Sequence, residues 1–490
     1  MIRTFGRLCA SSCFFVACFT ALTFNAPAQA VEQQAKPGAR TVEVLFVSDI
    51  HFEPFWDPAK ATRLAAAPVS EWNTILKSPA AADREQRFAA LQQKCSARGV
   101  DTSDILFESS LRAVRAHAAG ARFVVVSGDL VAHSFSCKFA TLFPHAAPGD
   151  LRSFVEKTID YVMRELRVAL PHVPVFAALG NNDSDCGDYR IDANSEFLEA
   201  AGRTLTADVP APERAEAMRT FAAAGYYSVT LPAPIEHAKL LVLNDVFMSK
   251  RYATCGGKTD PAPAAEQIGW MKEQLDQARS RHEKAWVMSH IPPGIDPYST
   301  AMKMVDVCGG GAPQMFLSSQ ALPETLARYG DVVRLALFGH THMDEVRLLE
   351  PEDGERMAER GIAVKLVGSI SPINGNAPSF TVASIDAGTA VMRDYQVIGA
   401  SNATGVDAKW TEEYNFAKTY KQDSFTAISV RNVIAAFGAD PSAQQKASQS
   451  YIRNYGSGMG ALELTLFWKP YVCSLSDGPA DGFRQCLCGQ

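Results

Sequence analysis

The sequence predicts a layered α/β protein on three observations. Short apolar runs of strand length recur along the chain, segments of helical periodicity lie between them, and the same few polar residue types come directly after the runs. The run at 41–48 (TVEVLFVS) reads as the first buried strand, entered from a polar tether at 31–40 that contains Pro and Gly. Further runs at 122–127 (RFVVVS), 173–179 (VPVFAAL), 239–244 (KLLVLN), 285–289 (AWVMS), 333–338 (VRLALF) and 363–368 (AVKLVG) are each short enough to be strands. Between them, periodic apolar positions predict helices at 105–119, 151–170, 265–280 and 320–329. Alanine-rich 59–67 and 207–224 read as surface insertions or connecting helices, and no internal repeat stands out. Near Ser401 the strand pattern stops. Residues 410–420 and 444–455 read as helical with aromatic anchors, which separates a C-terminal helical segment at 401–490 from a main domain at 41–400.

With 490 residues, almost half of them apolar, the chain can bury a large core and is too long for one small domain. A formal charge of -6 gives no electrostatic case for nucleic acid or an acidic membrane surface as the main partner, so a bound anion must be caught by a local site. Arg3 and Arg7 precede an apolar run at 8–24 that ends in Ala28-Gln29-Ala30, which predicts a secretory signal peptide at 1–30 cleaved after Ala30 and a secreted or periplasmic protein. A retained anchor is the competing reading; the shortness of the run, its Ser11 and Ser12 and the cleavage signal argue against it. No later segment is apolar enough to span a bilayer.

Of the eleven cysteines, Cys9, Cys13 and Cys18 fall in this leader, and the even remainder of eight suggests disulfides in an oxidising compartment. Cys473, Cys486 and Cys488 read as a staple for the C-terminal segment. A four-cysteine zinc site competes weakly, because no C-x-x-C pair occurs. Cys186 can pin its loop to Cys137 or to Cys95, and the sequence does not choose between them.

The chemistry lies at the carboxyl ends of the predicted strands. The first ends in Ser48-Asp49-Ile50-His51, the second in Ser127-Gly128-Asp129 and the third in Gly180-Asn181-Asn182-Asp183; later ones end in Ser289-His290 and Gly339-His340-Thr341-His342. Loops at such ends can converge on one crevice. Asp, His and Asn are suitable ligands for two divalent ions about 3.5–4 Å apart with a carboxylate between them. In D-x-H and H-x-H, extended backbone sends residues i and i+2 to the same side, so both can reach one cluster. Any one of these dipeptides is a poor signal alone; their order, each after a predicted strand, is what carries weight.

The series D-x-H, G-D, G-N-x-D, S-H and G-H-x-H resembles the calcineurin-like metallophosphoesterases. D-I-H-F-E-P-F-W at 49–56, G-D-L-V-A-H at 128–133, L-N-D at 243–245, S-H-I-P-P-G at 289–294 and G-H-T-H-M-D-E at 339–345 look like their acid sphingomyelinase-like phosphodiesterase branch. The resemblance covers about 41–400. It implies a β-sandwich flanked by helices, the metallo-dependent phosphatase fold. It implies Asp49, His51 and His342 on one metal, Asn181, His290 and His340 on the other, and Asp129 bridging. It further implies a bridging hydroxide that attacks phosphorus in line, and His133 beside the substrate phosphate. Zinc is the first expectation, with manganese or iron compatible. Asp183, Asn244 and Asp344 read as loop-ordering groups rather than ligands. The resemblance also implies a Cys255–Cys308 disulfide.

The chain departs from the family at Asn182, where a histidine thought to assist the leaving group is usual. Asparagine cannot donate a proton to an alkoxide, so His133 or a water must serve, or the leaving group needs little help, as in a phosphoanhydride. Endopolyphosphatases look similar here in also carrying G-N-N-D. The expected substrate is therefore a small phosphorylated compound: a phosphodiester, a nucleotide or polyphosphate. A phosphomonoesterase is a close alternative, and a metal-containing protein that binds phosphate compounds with little turnover is a further one. Specificity is expected to depend on insertions at 55–100, 136–150 and 296–318, and the sequence leaves the oligomeric state open.

Overall fold

The computed structural model describes residues 40–351, 361–458, 461–477 and 480–489, so the expected leader at 1–30 and all but the last residue of the tether lie outside the described residues. Arg40–Gln490 cluster as one compact unit. In chain order the strands are β1 (Thr41–Val47), β2 (Ala121–Val126), β3 (Val175–Ala177), β4 (Tyr227–Thr230), β5 (Ala238–Val242), β6 (Lys284–Met288) and β7 (Val333–Phe338). They continue with β8 (Glu345–Leu349), β9 (Ile362–Leu366), β10 (Ser379–Asp386), β11 (Met392–Ala400), β12 (Trp410–Asn415) and β13 (Ser476–Asp477).

One sheet has the order β12-β11-β10-β1-β2-β3 and the other β13-β8-β9-β7-β6-β5-β4. β1, β2 and β3 are parallel, as are β5, β6, β7 and β9, which is the pairing that helical crossovers produce. The expected helices occur as Asp104–His117, Asp150–Ala169, Ala262–Ser280 and Ala321–Arg328. Ser103 starts the first of these by accepting from the Leu106 amide at 3.2 Å. Both alanine-rich stretches contain helices, Pro58–Ala66 and Ala211–Ala224.

Trp286 of β6 joins the layers. Its buried ring lies 6.1 Å from Phe46 of β1 and 5.8 Å from Phe123 of β2, and its indole N–H donates to the Ala390 carbonyl at 2.8 Å. Apolar side chains from both sheets belong to one continuous core.

Two sequence expectations need correction. Residues 410–415 are strand β12, paired antiparallel with β11, and only Phe416–Tyr420 is helical. The Trp-Thr-Glu-Glu-Tyr run has strand-favouring residues at its ends, and the open edge of β11 supplies partners that local helix propensity cannot outweigh. Trp410 packs on Phe380 at 5.8 Å and donates to Ser109 Oγ at 3.0 Å.

The Cys255–Cys308 bridge does not form; the pairs are Cys95–Cys137, Cys186–Cys255, Cys308–Cys488 and Cys473–Cys486. Cys186 therefore takes neither Cys95 nor Cys137, which bond to each other. A bridge between Arg190 and Ala253 brings the Cys255 loop to Cys186. Arg484 donates to the Val307 carbonyl at 3.2 Å, so the terminal helix Ala480–Cys488 carries Cys488 to Cys308. The C-terminal cysteines thus act as the expected staple.

Candidate metal centre

The loops after β1, β2, β3, β6 and β7 meet at one end of the sandwich. Five side chains brought there have left-handed backbone: Asp49 (φ 48°), His51 (φ 44°), Asp129 (φ 55°), His340 (φ 74°) and His342 (φ 66°). Such conformations cost on the order of 1–3 kcal/mol each for residues with a Cβ, and they concentrate at functional sites. Two glycines allow the loops to close. A Cβ on Gly180 would lie 2.1 Å from Asp129 Oδ1, and one on Gly128, at φ 99°, would lie 2.8 Å from the Gly180 nitrogen.

All seven side chains expected as ligands converge, in two sets. In the first, His51 Nε2 lies 3.2 Å from His342 Nε2, 3.7 Å from Asp49 Oδ1 and 3.4 Å from Asp129 Oδ2, and His342 Nε2 lies 3.4 Å from Asp49 Oδ1. In the second, Asn181 Oδ1 is 3.1 Å from His290 Nε2 and 2.8 Å from His340 Nδ1, and His290 Nε2 is 3.2 Å from Asp129 Oδ2. Asp129 Oδ2 belongs to both sets.

The donor chemistry fits cations. His51 Nδ1 donates to the Val131 carbonyl at 2.9 Å and His290 Nδ1 to the Ser127 carbonyl at 2.8 Å, so in the neutral ring each Nε2 turns a lone pair inward. Those lone pairs face carboxylate oxygens of Asp49 and Asp129. Ligand atoms placed tetrahedrally at about 2.0–2.1 Å from a zinc ion lie about 3.3 Å from one another, close to the separations within both sets.

Electrostatics agree. Burial alone would raise Asp49 and Asp129, but the histidines facing them hold both carboxyls below the usual carboxylate range. Burial opposes charge on His51 and His290, yet the Asp129 carboxylate raises them to about 9 and about 10. Burial keeps His340 and His342 neutral, lowered to about 3. The buried acid pair thus demands positive charge at the Nε2 atoms, which a proton or a metal ion can supply.

His133 stacks on His51 with ring centroids 4.0 Å apart, and one of its ring nitrogens lies within 4.8 Å of ring nitrogens of His51 and His342. Its Nδ1 donates to Asp101 Oδ1 at 3.0 Å, and its amide donates to Asp101 Oδ2 at 2.8 Å. Asp101 is buried and also accepts from Ser371 Oγ at 2.9 Å. Sequence reasoning missed Asp101: in Val-Asp-Thr-Ser-Asp, just before a helix, it looks like any capping residue.

Asn182 faces Asp129. Its amide N–H reaches Asp129 Oδ1 at 2.8 Å and its Nδ2 reaches Asp129 Oδ2 at 2.9 Å. Asp183 orders loops, accepting from Leu130, Val131 and Gly180 amides at 2.8, 3.0 and 2.9 Å. Asp344 pairs with Lys365 and accepts from the Tyr414 hydroxyl at 2.9 Å. Neighbouring Asp245, rather than Asn244, holds the His290 loop, accepting from the Ile291 amide at 3.0 Å.

The family model described as calcineurin-like phosphoesterase matches residues 42–344, more than half of the chain and the whole span of these loops. The chain belongs to that family and is a metal-dependent phosphoric ester hydrolase. Its relatives are acid sphingomyelinase-like phosphodiesterases. It is 22% identical to acid sphingomyelinase-like phosphodiesterase 3b of Homo sapiens, over 79% of this chain and 80% of that one. It is 23% identical to sphingomyelinase phosphodiesterase D of Dictyostelium discoideum, over 66% and 67%. It is 24% identical to cyclic GMP-AMP phosphodiesterase SMPDL3A of Mus musculus, over 61% and 65%.

Proposed function

We propose that this is an exported phosphoesterase with two divalent cations, which hydrolyses phosphodiester or phosphoanhydride bonds of a small phosphorylated substrate. The observation that carries the reading is the shared Asp129 Oδ2, 3.4 Å from His51 Nε2 in one donor set and 3.2 Å from His290 Nε2 in the other. Asp49, His51 and His342 would hold one cation, Asn181, His290 and His340 the second, with Asp129 common to both. Bound there, the cations, zinc in the first instance, supply a more acidic water and neutralise charge growing on phosphoryl oxygens.

The chain's own groups do the rest. Asn182 holds both Asp129 oxygens in place. Asp101 accepts the Nδ1–H of His133, so that in the imidazolium form the ring's Nε2–H can pass to the departing oxygen and leave a neutral imidazole. A phosphodiester is supported by relatives named as phosphodiesterases. An anhydride stays favoured by the presence of Asn182 where a proton donor is usual, since its amide cannot protonate a departing alkoxide. Export is supported by four disulfides that use every described cysteine.

Turnover of bis(p-nitrophenyl) phosphate, p-nitrophenyl phosphate, ATP and polyphosphate by the chain from Val31 onward tests the reading. Diester or anhydride cleavage ahead of the monoester is expected. A metal-loaded chain that binds these compounds and turns over none of them would overturn it in favour of the binding protein.

A further inference from the structure

The ligands of the second donor set are held from outside by residues that the reaction does not use. Asn181 Nδ2 donates to Asp188 Oδ1 at 2.7 Å, and His340 Nε2 meets the Tyr189 hydroxyl at 3.1 Å. Both outer residues touch one side chain. Arg251 donates to Asp188 Oδ2 at 3.2 Å and lays its guanidinium over the Tyr189 ring, 4.1 Å from the centroid. The Arg251 loop is joined to this turn by the Cys186–Cys255 disulfide and by the Ala253 amide, which donates to the Tyr189 carbonyl at 3.1 Å. Tyr189 in turn donates its amide to the Asn181 carbonyl at 2.9 Å.

An exposed ion pair contributes little to stability, and the Arg251 side chain is 67% exposed, so fold stability gives this arrangement no reason to exist. Orientation does. An amide side chain can present either its oxygen or its nitrogen to a cation, and only the oxygen binds one. The Nδ2–H to Asp188 contact selects the oxygen. An imidazole can carry its proton on either nitrogen; with Nε2–H donating to the Tyr189 hydroxyl, His340 Nδ1 would offer its lone pair on the side of Asn181 Oδ1, 2.8 Å away.

We propose that Arg251 is a positioning residue for the second cation site: through Asp188 and Tyr189 it fixes the orientation of Asn181 and His340, and the Cys186–Cys255 disulfide is the joint that delivers it. The proposal rests on the two-cation reading of the site.

The test is Zn2+ titration of the chain from Val31 onward against a fluorescent chelator, with metal content after gel filtration. Arg251→Ala, Asp188→Asn and a Cys186→Ser/Cys255→Ser pair are compared with wild type, alongside the milder Tyr189→Phe and Arg251→Lys. The expected result is an unchanged tight equivalent and a looser one weakened roughly 10- to 100-fold, the usual effect of removing groups that orient ligands. Tyr189→Phe and Arg251→Lys, which disturb one contact each, should fall between wild type and Arg251→Ala. Two equivalents held by Arg251→Ala as tightly as by wild type overturn the clamp alone. Equal loss of both equivalents means a merely structural role and overturns it too. A wild-type chain that binds fewer than two overturns the two-cation reading and the clamp with it.

Discussion

Asp129 answers to both halves of the site, and the surrounding residues are arranged to hold it still. Asn182 donates to both its oxygens, and Gly180 leaves the room that a Cβ would occupy. Asn182→Ala is expected to lower turnover without abolishing metal binding, because it removes the Nδ2 contact to Asp129 Oδ2, keeps the backbone N–H to Oδ1 and removes no ligand; metal content beside a rate measurement checks this. His133→Ala is expected to lower kcat by roughly 10²- to 10³-fold, and Asp101→Asn by less, with smaller losses on substrates whose leaving group needs no proton. A leaving-group series read as the slope of log kcat checks it. At this scale the expected ligands were legible because each sits just past a strand in a short motif with Gly or Ser. Asp101 was not legible, since its meaning comes from contacts with His133 and with Ser371, remote in sequence.

Elements matter here for where their ends fall. β1, β2, β6 and β7 are apolar enough to be buried on both faces, which made them readable as runs, and their carboxyl ends carry the site. Trp286 packs one sheet against the other through Phe46 and Phe123. Trp286→Ala should destabilise by about 3–5 kcal/mol, as other deletions of large buried aromatics do, and should lower the urea midpoint with little change in slope. β10 and β11 are not among the runs the sequence marks, although both precede Ser401, and β12 lies in the stretch expected to be helical. β12 in particular has a mixed burial pattern and is defined by its pairing with β11. Edge strands depend on a neighbour's hydrogen bonds, which no local window contains.

At the scale of the whole molecule, residues from the C-terminal segment enter both sheets, β12 beside β11 and β13 beside β8. The Cys308–Cys488 disulfide spans 180 residues and ties the terminal helix to the insertion at 296–318. A small apolar cluster of Ile295, Val307, Cys473 and Phe483 lies buried beneath that junction. Cys308→Ser/Cys488→Ser should cost about 2–5 kcal/mol, read from chemical denaturation under non-reducing conditions. Thiol titration of the unfolded chain from Val31 should find no free cysteine. The pairing itself could not be derived from the sequence, because it depends on which loops the fold brings within reach. The central claim is a two-cation hydrolase organised around Asp129. Bound Zn2+ and turnover of bis(p-nitrophenyl) phosphate, measured together on wild type and Asp129→Asn, test it most directly. The account predicts about two equivalents of metal in the wild-type chain and turnover that Asp129→Asn abolishes; a wild-type chain without bound metal, or equal turnover by the variant, contradicts it.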